Sequence, residues 1–536
     1  MPLRPLVLPR LLLVMALLFP AGCRADQGPL APPPPPGPDA AAPSAPAPQS
    51  QSTTLMHWPV PRPAPLTAAN PVLWVALAAR LGPSPAQAPT APPLRLRSSS
   101  GLLTLIDASG QRFQSPDLVL HWRREGLAQP TTLRRRVLGP FASFESAEQA
   151  AGLWRAVGVE AAIAKPKDWE VWAPASAPDP APLPDGVRLT AFERTATERV
   201  GLELRRAQGV VPLAGPIRIE APGGLLWQQG AYAGPFQLLA DAHGGWSLVE
   251  QVPLERYLEG VVPHEIGAGV PAAALEAQAV LARTWAVRNQ HRFVVDGYHL
   301  CADTQCQVYS DPRHAGAPVR QAIVATRLAV LMGADGPIHA VYHASNGGVS
   351  AAYPEAWSGA PVPYLNAFPD GPAPFQARFP VPLAAAALPT LLRDGRAAWG
   401  ADHPVFRWQR QLTAAQIAAA LGPERGVGRP TALKVLARGP SGRVLALEVQ
   451  GTEGRTVLRL DAIRRTLRSL PSTLFTLQPA GAGVWQLDGG GFGHGAGLSQ
   501  AGAIDLAGRG WSARRILAHY YPGTRLQPLG AGGDSP

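Results

Sequence analysis

Three groups of residues in this 536-residue chain have types and spacing suited to chemistry. The first centres on Glu265, set in Val261-Val262-Pro263-His264-Glu265-Ile266-Gly267. A carboxylate between apolar neighbours is the kind whose pKa rises until it holds a proton near neutral pH, as a general acid must. The same residue types suit a solvated carboxylate in a turn, which is the commoner case on spacing alone. The second is Cys301 and Cys306, the one close cysteine pair. The third is two polar, glycine-bearing stretches, Tyr342-His343-Ala344-Ser345-Asn346-Gly347-Gly348 and the run DGGGFGHGAGLSQ at 488–500. Glycine lets backbone approach a ligand closely, and a following helix N-terminus offers free N–H donors.

The elements that must hold these groups can be read locally. Pro253 and Pro271 each suit a first helical turn. The first helix carries Leu254, Leu258, Val261 and Val262 on one face, and the second runs to about Asn289 with Leu275, Ala279, Ala282 and Ala286 on one stripe. Residues 263–269 form the connection, so Glu265 is expected between two anchored helices. An apolar strand at 338–341 delivers the Tyr342 stretch, and a helix over 498–507 ends at Gly508 and Gly510. Short alternating runs at 73–77, 102–106, 118–122, 200–204, 217–220, 236–239, 246–250, 433–437, 444–449 and 456–460 predict strands. Strands before, between and after the helices predict a multi-domain α+β fold. Gly491-Phe492-Gly493-His494-Gly495-Ala496 fits a loose dinucleotide fingerprint, but the chain left after it is too short for the strand-helix unit that such a site needs. His343 and Ser345 lack the G-x-S-x-G elbow of a serine hydrolase.

Taken together, V-P-L-E-R-Y-L-E-G-V-V-P-H-E, the A-Q-A-V-L-A-R-T-W-A run, C-Q-V-Y, Y-H-A-S-N-G-G and G-F-G-H-G-A-G-L-S-Q-A-G-A resemble consecutive signatures of the SpoIID/LytB family of sporulation and peptidoglycan-lytic proteins, over roughly residues 187–526. The resemblance implies that Glu265 is the catalytic acid and base. It implies substrate contacts from Gln307, Tyr342, His343, Ser345, His494, Ser499 and Gln500, and an Arg283 that faces the acidic residue or binds a substrate carboxylate. It also brings a structural zinc into view, held in some relatives by two cysteines and two histidines; here the family's histidine position is Gln305, with His299 and His291 as nearby substitutes. A disulfide between Cys301 and Cys306 is the expectation in an oxidising compartment, and no cofactor is required.

Composition frames the domain plan. Residues 1–23 read as an export signal: Arg4 and Arg10 precede a short apolar core, and Ala21-Gly22-Cys23 resembles a lipobox with Cys23 as the lipidated residue. That predicts an exported, periplasmic or cell-envelope protein, anchored to a membrane by lipid. Residues 24–70 are a Pro/Ala-rich linker, part of the 61 prolines in the chain, and favour extended polyproline. A small α+β region follows at 71–173. Its 133–172 part carries a helix capped by Ser146, with Gln149 three residues on, and resembles half of a SPOR-type peptidoglycan-binding repeat. Residues 174–186 are a second linker, 187–526 the catalytic domain with an irregular insertion between about 370 and 430, and 527–536 a flexible tail.

A net charge of +11 suits an anionic polymer. Dispersed basic residues and the export signal weigh against nucleic acid. The expected function is a lytic transglycosylase cutting the MurNAc-GlcNAc β-1,4 bond of peptidoglycan glycan strands, a reaction that needs one carboxyl group and not two. The alternative is a wall-binding protein that enhances a partner amidase. A zinc amidase is disfavoured by the lack of an H-E-x-x-H motif.

Overall fold

The computed structural model describes residues 53–83, 90–180, 183 and 187–531. The export signal, Cys23, residues 24–52 of the expected linker, most of 181–186 and the last five residues lie outside the described residues. Its α-helices are α1 (Phe144–Arg155), α2 (Leu254–Glu265), α3 (Ala272–Arg288), α4 (Ala317–Ala325), α5 (Ala373–Arg378), α6 (Leu388–Asp394), α7 (Ala414–Leu421), α8 (Asp461–Thr466), α9 (Gln500–Gly508) and α10 (Ala513–Tyr520).

Two large sheets are built mainly from strands that precede α2. In the first, the 25-residue strand Asp117–Phe141 pairs antiparallel with Arg188–Arg206, from Leu120 opposite Leu204 to Gly139 opposite Arg188. Its other edge takes Leu94–Ser98, Trp169–Pro174 and, in parallel, Thr53–Leu55. The second sheet runs in the order Leu300–Cys301, Val72–Leu81, Trp246–Pro253, Phe236–Ala240, Ile217–Glu220, Leu103–Ile106, Arg112–Ser115. In Leu94-Arg95-Leu96-Arg97-Ser98 the leucines are buried and the arginines exposed, the two-residue period of a half-buried strand. The fold is α+β, with strands and helices mixed along the chain.

Several boundaries differ from the sequence reading. Strands from 71–173 and from 187–253 share both sheets and one core that includes Leu73, Leu105, Ile219, Leu248 and Leu258. Those segments therefore do not fold as separate bodies, and the described residues form one compact unit. A short Pro/Ala stretch connects strands of one sheet as readily as it separates domains, and pairing is set by long-range register that local composition does not carry. Residues 53–70, expected as linker, are partly packed: Leu66 is buried, its N–H donates to Gln290 Oε1 and the Ala64 carbonyl accepts from His299. Ser143, not Ser146, caps α1, its hydroxyl accepting from the Ser146 N–H. The expected irregular stretch at 370–430 holds α5, α6, the strand Arg407–Thr413 and α7, which are too short to show a clear period. Residues 338–341 lie between strands and α9 starts at Gln500.

The helical layer is organised by α3. Residues Ala274, Leu275 and every position from Ala277 to Val287 are buried, so the helix is enclosed on all sides, not on the single stripe its sequence suggests. Its alanines allow α2, α4, α9 and α10 to approach. α2 runs through Pro263, where the sequence reading ended it. An interior proline costs about 3 kcal/mol. Leu254, Leu258, Val261 and Val262 are fully buried and return roughly 1.5–3 kcal/mol each, so the packed face decides the outcome.

Candidate active site

Glu265 is the last residue of α2, half-buried, with one side open to solvent. The Val308 N–H donates to its Oε1 at 3.2 Å, and the Tyr342 hydroxyl donates to the same carboxylate. Burial pushes this carboxyl above its ordinary range, and the two donors pull it part of the way back. No charged side chain is among the influences on it. Behind it runs a chain of polar contacts: the Tyr257 hydroxyl donates to Gln307 Oε1 (3.2 Å), and Gln307 Nε2 donates to the Tyr342 hydroxyl oxygen (2.9 Å). Gln307 is buried and Tyr257 completely so. Their side chains thus position Tyr342, and Tyr342 orients the acid.

Tyr342 reaches this place through a two-residue parallel pairing with the Gly-rich loop, Tyr342 opposite Leu498 and His343 opposite Ser499. His494 accepts from the Ala496 N–H at Nδ1 (3.2 Å), so Nε2 carries the proton and donates to the Tyr342 carbonyl (2.9 Å). Burial, then the nearby Arg464 charge, hold its pKa down at about 4. His343 donates from Nδ1 to the Ala496 carbonyl (3.1 Å) and is held well below its ordinary pKa, first by burial. Both rings are neutral at physiological pH. The two glycine motifs serve each other: Gly347, at φ +70°, lies so close to Gly490 that an added Cβ would sit 2.7 Å from its carbonyl carbon. This close approach is between loops, where the sequence suggested backbone against ligand. Buried Arg443 ties down the same turn by donating to the carbonyls of Asn346 and Val349.

The other residues expected at the site divide clearly. Arg283 is completely buried and forms a two-pronged ion pair with Glu255 (2.8 and 2.6 Å), not with Glu265, so it neither orients the acid nor reaches a substrate. Ser499 is the N-cap of α9, accepting from the Gly502 N–H. Gln500 donates to buried Gln278 on α3, and Ser345 accepts from the Gly347 N–H while its backbone bridges Phe492. His343, Ser345, Gln307, Ser499 and Gln500 are all buried and bond to backbone or side chains within the protein, so they serve as framework. Tyr342 and His494 remain partly accessible. Phe492, 44% exposed beside this turn, was missed; a lone aromatic flanked by glycines on both sides was its signal.

Cys301 and Cys306 form a disulfide, Cα atoms 5.7 Å apart, fastening the loop that carries Gln307 and Val308. The zinc set does not fit. Both ring nitrogens of His299 are used, Nδ1 accepting from the Trp74 N–H and Nε2 donating to the Ala64 carbonyl, and His291 pairs with Glu148. Among the described residues no three His, Cys, Asp or Glu side chains converge to hold a metal.

Comparison with known proteins agrees with this arrangement. Residues 242–332 match the family described as Stage II sporulation protein, and 351–497 match a domain of unknown function, DUF8618. The first match holds Glu265, the disulfide and α3; the Tyr342 turn falls between the two and the Gly-rich loop largely in the second. The chain is 28% identical to Stage II sporulation protein D of Bacillus amyloliquefaciens over 294 residues, 52% of this chain and 75% of the relative. Its identity to the Bacillus subtilis (strain 168) protein of that name is 26% over 298 residues, covering 53% and 77%. An uncharacterized protein of Brachyspira hyodysenteriae is 34% identical over 104 residues, 18% of this chain and 27% of that one. Residues 242–332, which hold Glu265 and its disulfide-fastened loop, are thus the part of the chain similar to the Stage II sporulation protein family.

Proposed function

We propose that this protein is a peptidoglycan lytic transglycosylase with Glu265 as its single acid and base. The observation that carries the reading is a half-exposed carboxyl raised by burial, hydrogen-bonded by one N–H and one hydroxyl, with no second carboxylate among the described residues acting on its proton affinity. A hydrolase needs a partner carboxylate about 5–9.5 Å away to activate water or form a glycosyl intermediate. With one carboxyl group, the protonated acid gives its proton to the glycosidic oxygen as the C1–O bond to the leaving sugar breaks. The resulting carboxylate then takes the proton of the same sugar's C6 hydroxyl while O6 bonds to C1. The acid is regenerated, no water is consumed, and a 1,6-anhydro end results. Export and a lipid anchor at Cys23 would bring this chemistry to the cell wall.

The test is anhydro-product formation on peptide-free glycan strands, followed by mass spectrometry. Glu265→Gln is expected to lose about 10²- to 10⁴-fold in rate while still binding glycan. Glu259→Gln, whose side chain only pairs with Arg256 on the surface of α2, should stay near the parent. Equal rates in the two variants would remove Glu265 from the mechanism. Glycan binding with no cleavage by the parent protein would replace this reading with that of an amidase enhancer.

A further inference from the structure

With Arg283 sealed against Glu255, the cation that faces an acidic glycan must lie elsewhere. The consecutive Arg464 and Arg465 on α8 share one carboxylate, Asp461, Arg464 at 3.3 Å through a terminal nitrogen and Arg465 through Nε. Two guanidinium groups on one carboxylate leave a net positive charge. The Arg464 charge opposes protonation of the neutral His343–His494 wall, and its buried Nε has no hydrogen-bond partner among the described residues. Arg465 lines a surface cavity of about 480 Å³ between α7 and α8. Leu412 and Leu467 give this cavity apolar surface, while Gln416, Arg465, Thr466, Arg468 and Ser469 supply polar groups. Arg468 is exposed and has no ion pair or hydrogen bond among the described residues. The Gln416 carbonyl oxygen is occupied in capping α7, accepting from the Thr413 N–H, which leaves its amide N–H groups as donors.

Donors dominate this cavity: two guanidinium groups, an amide NH2 and two hydroxyls, with a partly apolar wall. Its volume falls within the roughly 300–1,000 Å³ of small-molecule pockets. Such a set fits a sugar ring that carries a carboxylate, since arginine's fork matches a carboxylate in two-pronged geometry and the leucines accept the ring's apolar face. Asp461, which both arginines share, also lies near His494 of the Tyr342 wall. We propose that this cavity is an accessory subsite for a carboxylate-bearing sugar unit of the glycan chain. The proposal rests on the glycan reading above. Two sources share the chemistry: the lactyl carboxylate of peptide-free glycan, and the carboxylates of an attached stem peptide.

The experiment measures binding, not cleavage, in a Glu265→Gln background so that the strand stays intact. Three ligands are compared: peptide-free glycan, the same glycan with its carboxylates converted to amides, and peptide-bearing glycan. Peptide-free glycan is expected to bind about tenfold more tightly than its amidated form. Arg465→Gln with Arg468→Gln should abolish that difference. Arg468→Gln alone, at an exposed residue with no partner to lose, should reduce it without altering the thermal melt, and Arg425→Gln, an exposed arginine outside the cavity, should leave it intact. If the lactyl group is the source, peptide-bearing glycan binds no better than peptide-free; if the stem peptide is, it binds better, and the arginine variants erase the gain. Unchanged binding of both acidic ligands by the double variant, or equal binding of the acidic and amidated forms before substitution, overturns the subsite. A parent protein that cuts nothing but shows this arginine dependence would refute the transglycosylase reading alone.

Discussion

Tyr342→Phe isolates the contact that sets the proton affinity of Glu265. The hydroxyl donates to the ionised carboxylate and therefore favours it, offsetting part of the burial that raises the carboxyl. Cleavage requires the protonated form, so activity falls as pH rises through the Glu265 pKa. Removing the hydroxyl removes a stabiliser of the ionised form, and the alkaline limb of the kcat/KM profile must move upward. One neutral hydrogen bond is worth roughly 0.5–1.5 kcal/mol and one pH unit about 1.4 kcal/mol, so the limb should rise by about half to one unit. The variant also strips Gln307 Nε2 of its acceptor. The triple variant Tyr342→Phe, Gln307→Leu, Tyr257→Phe removes every member of the polar chain and leaves none unpaired, which separates this structural cost from the effect on the acid, and it should keep the raised limb. The assay is release of anhydro-ended fragments from peptide-free glycan between pH 4 and pH 9, at about half-unit steps, at substrate concentrations well below KM. A limb that stays in place, or moves downward, would refute the assignment of Tyr342 as the donor that tunes Glu265.

Three further outcomes are expected. A carboxyl whose folded pKa is raised loses folding stability as pH climbs from its unfolded value through its folded one, so Glu265→Gln should melt above the parent at pH 7, with the gap closing near pH 4; a variant that melts lower at pH 7 would contradict the raised pKa. Arg283→Ala leaves Glu255 largely buried without its partner and should cost about 3 kcal/mol in urea unfolding, against under about 1 kcal/mol if the pair behaves as a surface one. Reducing the Cys301–Cys306 disulfide opens a short loop and should cost about 2 kcal/mol, with thiol titration finding these two sulfurs only after reductant is added; free thiols at both positions beforehand would contradict the pairing.

What the sequence by itself determined was local. Pro253 and Pro271 marked the starts of α2 and α3 because proline's fixed φ and missing N–H suit a first turn. Alternation marked the strands at 433–437, 444–449 and 456–460, now Pro430–Arg438, Val444–Gly451 and Arg455–Arg459. Glu265 stood out by its apolar neighbours, and the structure gives it the half-buried, raised carboxyl that those neighbours imply. The partner of each polar side chain was decided only by the tertiary structure. Arg283 meets Glu255 across 28 positions, Gln500 meets Gln278 across 222, and Tyr342 reaches Glu265 through the packing of a turn against a loop more than 140 residues later. Buried polar groups must be satisfied, and which group satisfies which depends on three-dimensional proximity that no local pattern encodes. The same holds for the segments on either side of 174–186, whose strands were individually predictable while their shared sheets were not: hydrophobic period sets the face a strand buries, and long-range register sets its neighbour.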